Sequence, residues 1–314
     1  MTPEGPMPQL QNLAEAAGRE TAPIIAVDIG NARIKFGRFD PDAEPPPAPD
    51  PLAACGRGSP RPSHGTSAAG GLPSPSGTLV LDGARPPLEE LADWLAPAAP
   101  PGASWRIGSV NRRATTALLD WLRAARPHDP VTLLSSADLP LVVRLPEPDK
   151  VGVDRLLDAV AANALRPSGC PAVVVDVGTA ITVDLVAPDG AFCGGAILPG
   201  IAMSARALHE FTDLLPRVDA AELREPPPAV GTSTVDALRS GLFWFAVGAI
   251  REVIARMTAE QKAGGPPQWP PPHVLLTGGA GEAVAALLGP RARLVPHLTL
   301  AGIALTARTR SPGA

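Results

Sequence analysis

The sequence has no tyrosine, and its aromatic content of 4% rests on five tryptophans and six phenylalanines. Cysteine is as scarce. Cys55, Cys170 and Cys193 are odd in number and lack metal-type spacing, which argues against a disulfide framework and against a zinc site. Five scattered histidines give no metal-ligand pattern either. Charged residues make up 18% of the chain, below the usual ~25%. With a net charge of −4 there is no sign of a surface for nucleic acid. Nowhere do ~18 uncharged apolar residues run together, so no spanning helix is expected. Residues 1–22 carry charges without a continuous apolar stretch, and they read as an extension rather than a signal peptide. The sequence has no G-x-x-x-x-G-K-S/T, which excludes a P-loop kinase, and no serine in a G-x-S-x-G context. The expectation is a soluble, cytoplasmic protein, and 314 residues predict about two domains.

Proline, by contrast, is abundant: 40 of 314 residues, about 13% against an average of ~5%. Ten of these prolines lie between Pro41 and Pro75, in a segment also rich in Gly, Ser and Ala. That composition supports neither a helix nor a central strand, so 41–76 reads as a long mobile insertion. Smaller Pro clusters at 97–101, 226–228 and 266–272 read as surface loops.

The most telling positive feature is a repeat. Ala26-Val-Asp-Ile-Gly-Asn-Ala-Arg-Ile-Lys35 matches the stretch around Val173-Val-Val-Asp-Val-Gly-Thr-Ala-Ile-Thr-Val-Asp184 without a gap, placing Asp28 on Asp176, Gly30 on Gly178, Asn31 on Thr179 and Ala32 on Ala180. Each copy is an apolar run ending in Asp, then a small polar turn, then a second apolar run, which predicts two strands and a tight turn. Such turns leave backbone N–H groups free for phosphate oxygens. A duplicated strand-turn-strand unit at domain spacing predicts two similar loops facing one nucleotide cleft.

The rest of the pattern agrees. The first half predicts strands at 24–28, 33–39, 77–82, 105–110 and 131–134 and helices at 88–95 and 114–125. The second half predicts a helix at 151–165, strands at 172–176, 180–186 and 191–197, helices at 202–210 and 234–257, a strand at 274–277 and a helix at 282–288. The fold class is α/β: two ribonuclease-H-like domains of the actin and sugar-kinase kind, mixed sheets flanked by helices. The predicted boundaries are 1–22, 23–150 and 151–310.

Several short motifs carry chemistry. Asp28-Ile-Gly-Asn31 suits a phosphate turn, with Asp28 near a hydrated magnesium ion, although D-x-G-N also suits a plain β-turn. In Gly152-Val-Asp-Arg155, Asp154 could accept the proton of an attacking hydroxyl and Arg155 could bind an anionic or polar part of the acceptor. The bland reading of that pair is a helix cap beside a surface ion pair. Leu275-Leu-Thr-Gly-Gly-Ala-Gly281 is a strand running into a Gly-rich turn, where backbone can approach a flat ligand.

Taken in order, these segments resemble the type III pantothenate kinases. The matching segments are Asp28-Ile-Gly-Asn-Ala32, Gly152-Val-Asp-Arg155, Asp176-Val-Gly-Thr-Ala-Ile-Thr182, Gly194-Gly-Ala-Ile-Leu-Pro-Gly200, Thr212-Asp-Leu-Leu-Pro216, the run Gly231 to Gly241, and Thr277-Gly-Gly279. They cover about 24–306, interrupted by the Pro-rich insertion. The resemblance implies ATP-dependent phosphorylation of the primary hydroxyl of pantothenate, the first step toward coenzyme A, by a homodimer needing Mg2+ and a monovalent cation, K+ or NH4+. It implies Asp154 as general base, and Gly152, Val153, Asp154, Arg155 and Thr234 as pantothenate contacts. Asp28, Ile29, Gly30, Asn31, Ala32, Arg33, Ile34 and Lys35 would form the first ATP loop and Thr179 a second ATP contact. Asp176 would hold the monovalent cation, and Asp28 would face Mg2+ through water.

Two positions depart from the family pattern. Ala32 stands where Thr or Ser is usual, and Leu145 stands about where many members carry a pantothenate-contacting Tyr. Other readings are a same-fold kinase for another small hydroxy compound, a non-catalytic regulator of the Bvg accessory factor type, and an actin-like filament or chaperone ATPase. Asp28, Asp154 and Asp176 together favour an active kinase; the G-x-D-R turn and the chain length disfavour the filament.

Overall fold

The structure is a computed structural model describing residues 22–41, 71–96, 102–219, 223, 225–263 and 269–307. Residues 1–21, 97–101 and most of the Pro-rich insertion (42–70) lie outside the described residues. The first half holds β1 (Ile24–Ile29), β2 (Arg33–Phe39), β3 (Gly77–Asp82), α1 (Leu88–Leu95), β4 (Ser104–Ser109), α2 (Arg112–Ala125) and β5 (Val131–Leu133). The second half holds α3 (Val153–Leu165), β6 (Ala172–Val177), β7 (Ala180–Val186), β8 (Phe192–Pro199), α4 (Ile201–Glu210), α5 (Thr234–Ala263), β9 (His273–Thr277), α6 (Gly281–Ala285), β10 (Ala292–Leu294) and α7 (Leu298–Thr306).

Each half builds one five-stranded sheet, and the orders are the same: β3-β2-β1-β4-β5 and β8-β7-β6-β9-β10. In both, the first strand pairs antiparallel with the second and parallel with the fourth. Matching topology in sequential halves is the duplication that the two Asp-Gly turns predict.

Strand alternation sorts the side chains into three cores. Ile25, Val27 and Ile29 of β1 and Ile34 and Phe36 of β2 face outward, under α1 and α2, around Trp105 and Leu118. Val173, Val175 and Val177 of β6 and Ile181 and Val183 of β7 face the opposite outer layer, with Ala205 of α4 and Phe243 of α5. The intervening positions, Ala26, Phe39, Ala172, Val174 and Val186, meet in a central layer with α3 and α7. By the same period of two, Asp28, Lys35, Asp176, Thr182 and Asp184 belong to the central face. Two sheets thus turn their charged positions toward one shared interior.

Two elements escape the sequence pattern. β10 has three residues, too few for a periodic signal. α7 (LTLAGIALT) is buried at eight of nine positions, so it shows no polar face. The described tail of the insertion, 71–76, is tied down: Leu72 is buried and Ser76 N donates to Arg38 O at 2.8 Å. Cys193 is a free thiol and Cys170 is disulfide-bonded. Among the described residues no helix is long and apolar enough to cross a membrane.

Candidate active site

The first turn is built from three sides. Gly30 N donates to Arg33 O at 3.0 Å, Gly83 N donates to Ala32 O at 2.9 Å, and Asn111 Nδ2 donates to Gly30 O at 3.3 Å. Asn111 also caps α2, its Oδ1 accepting from Ala114 N at 3.2 Å. No hydrogen bond among the described residues uses the N–H groups of the exposed Asn31 and Ala32. Free amides on an ordered turn are what a phosphate oxygen needs.

The second turn is one residue shorter. Gly178 N donates to Ala180 O at 3.0 Å, two residues on rather than three. Consequently Lys35 lies opposite Asp28, but Thr182 lies opposite Asp176. The gapless match of the two repeats therefore holds only up to the turn. Beyond it Lys35 corresponds to Thr182, and the buried-polar-buried runs Ile34-Lys35-Phe36 and Ile181-Thr182-Val183 fall into phase. The exposed Thr179 carries its carbonyl to Gly200 N at 3.1 Å.

Between the turns lies the start of α3. Gly152 is its N-cap, Val153 is buried, and Arg155 N donates to Asp154 Oδ1 at 2.9 Å. Lys35 Nζ sits 3.1 Å from Asp28 Oδ2. Burial works against the Lys35 ammonium, but the charges of Asp28, Asp176 and Asp158 outweigh it and hold its pKa above the usual lysine value. Burial, reinforced by the charge of Asp28, raises the Asp154 carboxyl above the ordinary range despite the Arg155 amide and guanidinium. Asp176 is pushed up to about 6, first by burial and then by Asp28, Asp154 and Asp184, with Lys35 opposing. Its Oδ1 is buried and has no hydrogen-bond partner among the described residues. Gly278, at φ 90°, passes so close to that oxygen that any Cβ there would collide with it. The freedom of this Gly-rich turn thus serves a contact within the chain.

Two matching Asp-Gly turns, with an aspartate at a helix start close to both of their carboxylates, can hold a polyphosphate against backbone amides and take a proton beside it. A family model described as type III pantothenate kinase matches residues 85–256, more than half of the chain. The chain belongs to the type III pantothenate kinase family. It is 36% identical over 197 residues to a type III pantothenate kinase of Phenylobacterium zucineum (strain HLK1), covering 63% of this chain and 72% of that one. It is 43% identical over 166 residues to one of Rubrobacter xylanophilus, covering 53% and 61%.

Not every residue predicted from the kinase motifs gathers at this site. Asp28, Lys35, Asp154, Arg155 and Asp176 come together, close enough for their charges to act on one another. Thr234 is exposed at the start of α5, and no hydrogen bond or ion pair among the described residues joins it to Asp154 or Arg155. Ile29 and Ile34 are buried in the outer core, so only their backbone can face the turn. Leu145 packs against Gly194 in the central layer that also holds Phe192.

Two carboxylates were missed. Asp158, one turn after Asp154 on α3, is 3% exposed. Burial first, then the charges of Asp176, Asp154 and Asp28, push it well above the usual aspartate range, against a hydrogen bond from Thr299 of α7. A buried carboxylate costs several kcal/mol even after relaxation, on the order estimated for single ions, so the fold favours the protonated form of this group. Its signal was present: an aspartate inside the run Leu156-Leu-Asp-Ala-Val-Ala-Ala162, four residues from Asp154 and so on one face. Asp184 gave no local signal, because its partner Arg155 is 29 positions away.

Proposed function

We propose that this kinase transfers the γ-phosphoryl group of ATP to the primary hydroxyl of pantothenate, giving 4'-phosphopantothenate, the first step toward coenzyme A. The observation that carries the reading is Asp154, at a helix start between two duplicated Asp-Gly turns, in a chain of the type III pantothenate kinase family. The free amides of Asn31 and Ala32 hold phosphate oxygens, Lys35 lends them positive charge, and Thr179 offers a hydroxyl from the opposite turn. Gly152, Val153, Arg155 and Thr234 bind the acceptor.

Asp154 takes the hydroxyl proton as the acceptor oxygen attacks the γ-phosphorus. The new P–O bond forms as the bond to the β–γ bridging oxygen breaks, and ADP leaves with the electron pair. Raising Asp154 by burial brings its basicity nearer to neutral pH, where a general base works best. Mg2+, when bound, neutralises phosphate charge, and Asp28 is the carboxylate to face it through water. Asp176 is the proposed ligand of a monovalent cation: its buried Oδ1 is an oxygen for which the described residues supply no hydrogen-bond partner. Among the described residues no group of three acidic, His or Cys side chains forms a metal cage, so further ligands would come from backbone carbonyls, water or substrate.

The protein acts as a homodimer in the cytoplasm. The apolar side chains exposed on α4, on the segment after it and on α5 support this: Met203, Phe211, Leu214 and Phe245. Against the non-catalytic regulator stands the survival of Asp28, Asp154 and Asp176 together. The deciding assay incubates the purified full chain with ATP, Mg2+, K+ and pantothenate and follows phosphopantothenate. No product over a broad range of ATP and cation concentrations overturns the reading.

A further inference from the structure

Arg155 is not free to search for the acceptor. Its Nε donates to both oxygens of Asp184, at 3.0 and 3.1 Å, and its Nη2 donates to Oδ1 of the same carboxylate. Phe192 lies beneath the guanidinium, with Cζ 5.6 Å from the ring centroid. Both charged side chains are largely buried, 14% and 2% exposed. Asp184 is itself fixed. Thr182 donates to it, and Gly195, its neighbour across β7 and β8, packs so closely that any Cβ there would strike Val183 O and the Asp184 carboxylate. One edge of the guanidinium, Nε with Nη2, is thus committed. Nη1 has no partner among the described residues.

We propose that Asp184 is a positioning residue: it clamps Arg155 so that Nη1 is presented in a fixed orientation to the acceptor beside Asp154. The inference rests on the reading of Arg155 as an acceptor-binding residue. Its content goes further. The positive charge of Arg155 is already balanced by Asp184, so Arg155 contributes direction rather than net charge, and the clamp acts on acceptor binding rather than on phosphate. A planar guanidinium held through one face of its fork keeps the other edge in a fixed plane, which a lysine could not do.

The test compares steady-state constants of Asp184→Asn, Arg155→Ala and the double variant with those of the wild-type chain. Asp184→Asn should raise KM for pantothenate roughly tenfold, the scale of one well-oriented charge-assisted hydrogen bond, with KM for ATP unchanged and kcat within about threefold. In the Arg155→Ala background the same substitution should have no further effect on KM for pantothenate. Thr182→Val, which removes only the hydroxyl that steadies Asp184, should shift the same constant in the same direction by less, and it serves if Asp184→Asn does not fold. An unchanged KM for pantothenate, an effect additive with Arg155→Ala, or parallel losses in the ATP and pantothenate constants would each overturn the clamp. A wild-type chain that does not phosphorylate pantothenate would instead remove the functional reading itself.

Discussion

Asp28 and Lys35 face each other across β1 and β2, Oδ2 to Nζ at 3.1 Å, whereas the corresponding positions in the second half hold Asp176 and Thr182. One carboxylate of the duplicated pair has a cation supplied by the chain. The other has a hydroxyl-bearing residue opposite and an oxygen without a partner among the described residues. The one-residue difference between the turns decides this, because it sets which side chain stands opposite each aspartate.

Lys35→Gln should therefore act on the nucleotide and not on the acceptor. We expect KM for ATP to rise roughly tenfold, the cost of about 1.4 kcal/mol of phosphate neutralisation, with KM for pantothenate unchanged. Initial rates with each substrate varied in turn would check it, and an unchanged KM for ATP removes Lys35 from the phosphate site.

Asp176→Asn should abolish the response to K+. Rates measured from K+-free buffer to saturating salt, at constant ionic strength, are expected to be flat in the variant and to rise in the wild type. A variant still activated by K+ would move the cation site elsewhere.

Asp154 should dominate the acid side of the pH profile. Protonated, it cannot accept the hydroxyl proton, so kcat/KM should climb with pH through its pKa, at a midpoint above the ordinary aspartate value of about 3.9 because burial raises it. Asp154→Asn should lower kcat by roughly two to four orders of magnitude, with ATP binding retained by calorimetry. Near-normal turnover would dismiss Asp154 as the base.

Asp158 is a carboxyl whose proton the fold holds more tightly than the unfolded chain does. Its folded pKa is raised, so folding takes up a proton, and the cost appears above the unfolded value and grows as pH rises toward the folded one. Asp158→Asn should be more heat-stable than the wild type by a few degrees, on the scale of ~1 kcal/mol, at pH 8 in K+-free buffer, with little difference near pH 4. A gap in melting temperature independent of pH would show that Asp158 is charged in the fold.

Much of this was legible in the chain. The duplicated turn and the alternation of apolar residues gave the strands, the two halves and the face carrying the aspartates. The gapless match of Ala32 with Ala180 missed the register, although the phase of Ile34-Lys35-Phe36 against Ile181-Thr182-Val183 contained it. α7 could not be found by periodicity, because a helix buried on every side has no stripe. The Arg155–Asp184 pair could not be found by spacing either, because β7 brings Asp184 to Arg155 from a distant part of the chain.

That same helix has a consequence for how the protein is made. α7 packs on β1 as well as on α3, and its Thr299 reaches Asp158. It follows every other described element in the chain. During synthesis the part of β1 that this helix covers must wait until residues 298–306, about 270 positions later, leave the ribosome. The first half is translated ahead of it, but its interior is closed by a segment from the far end of the second half.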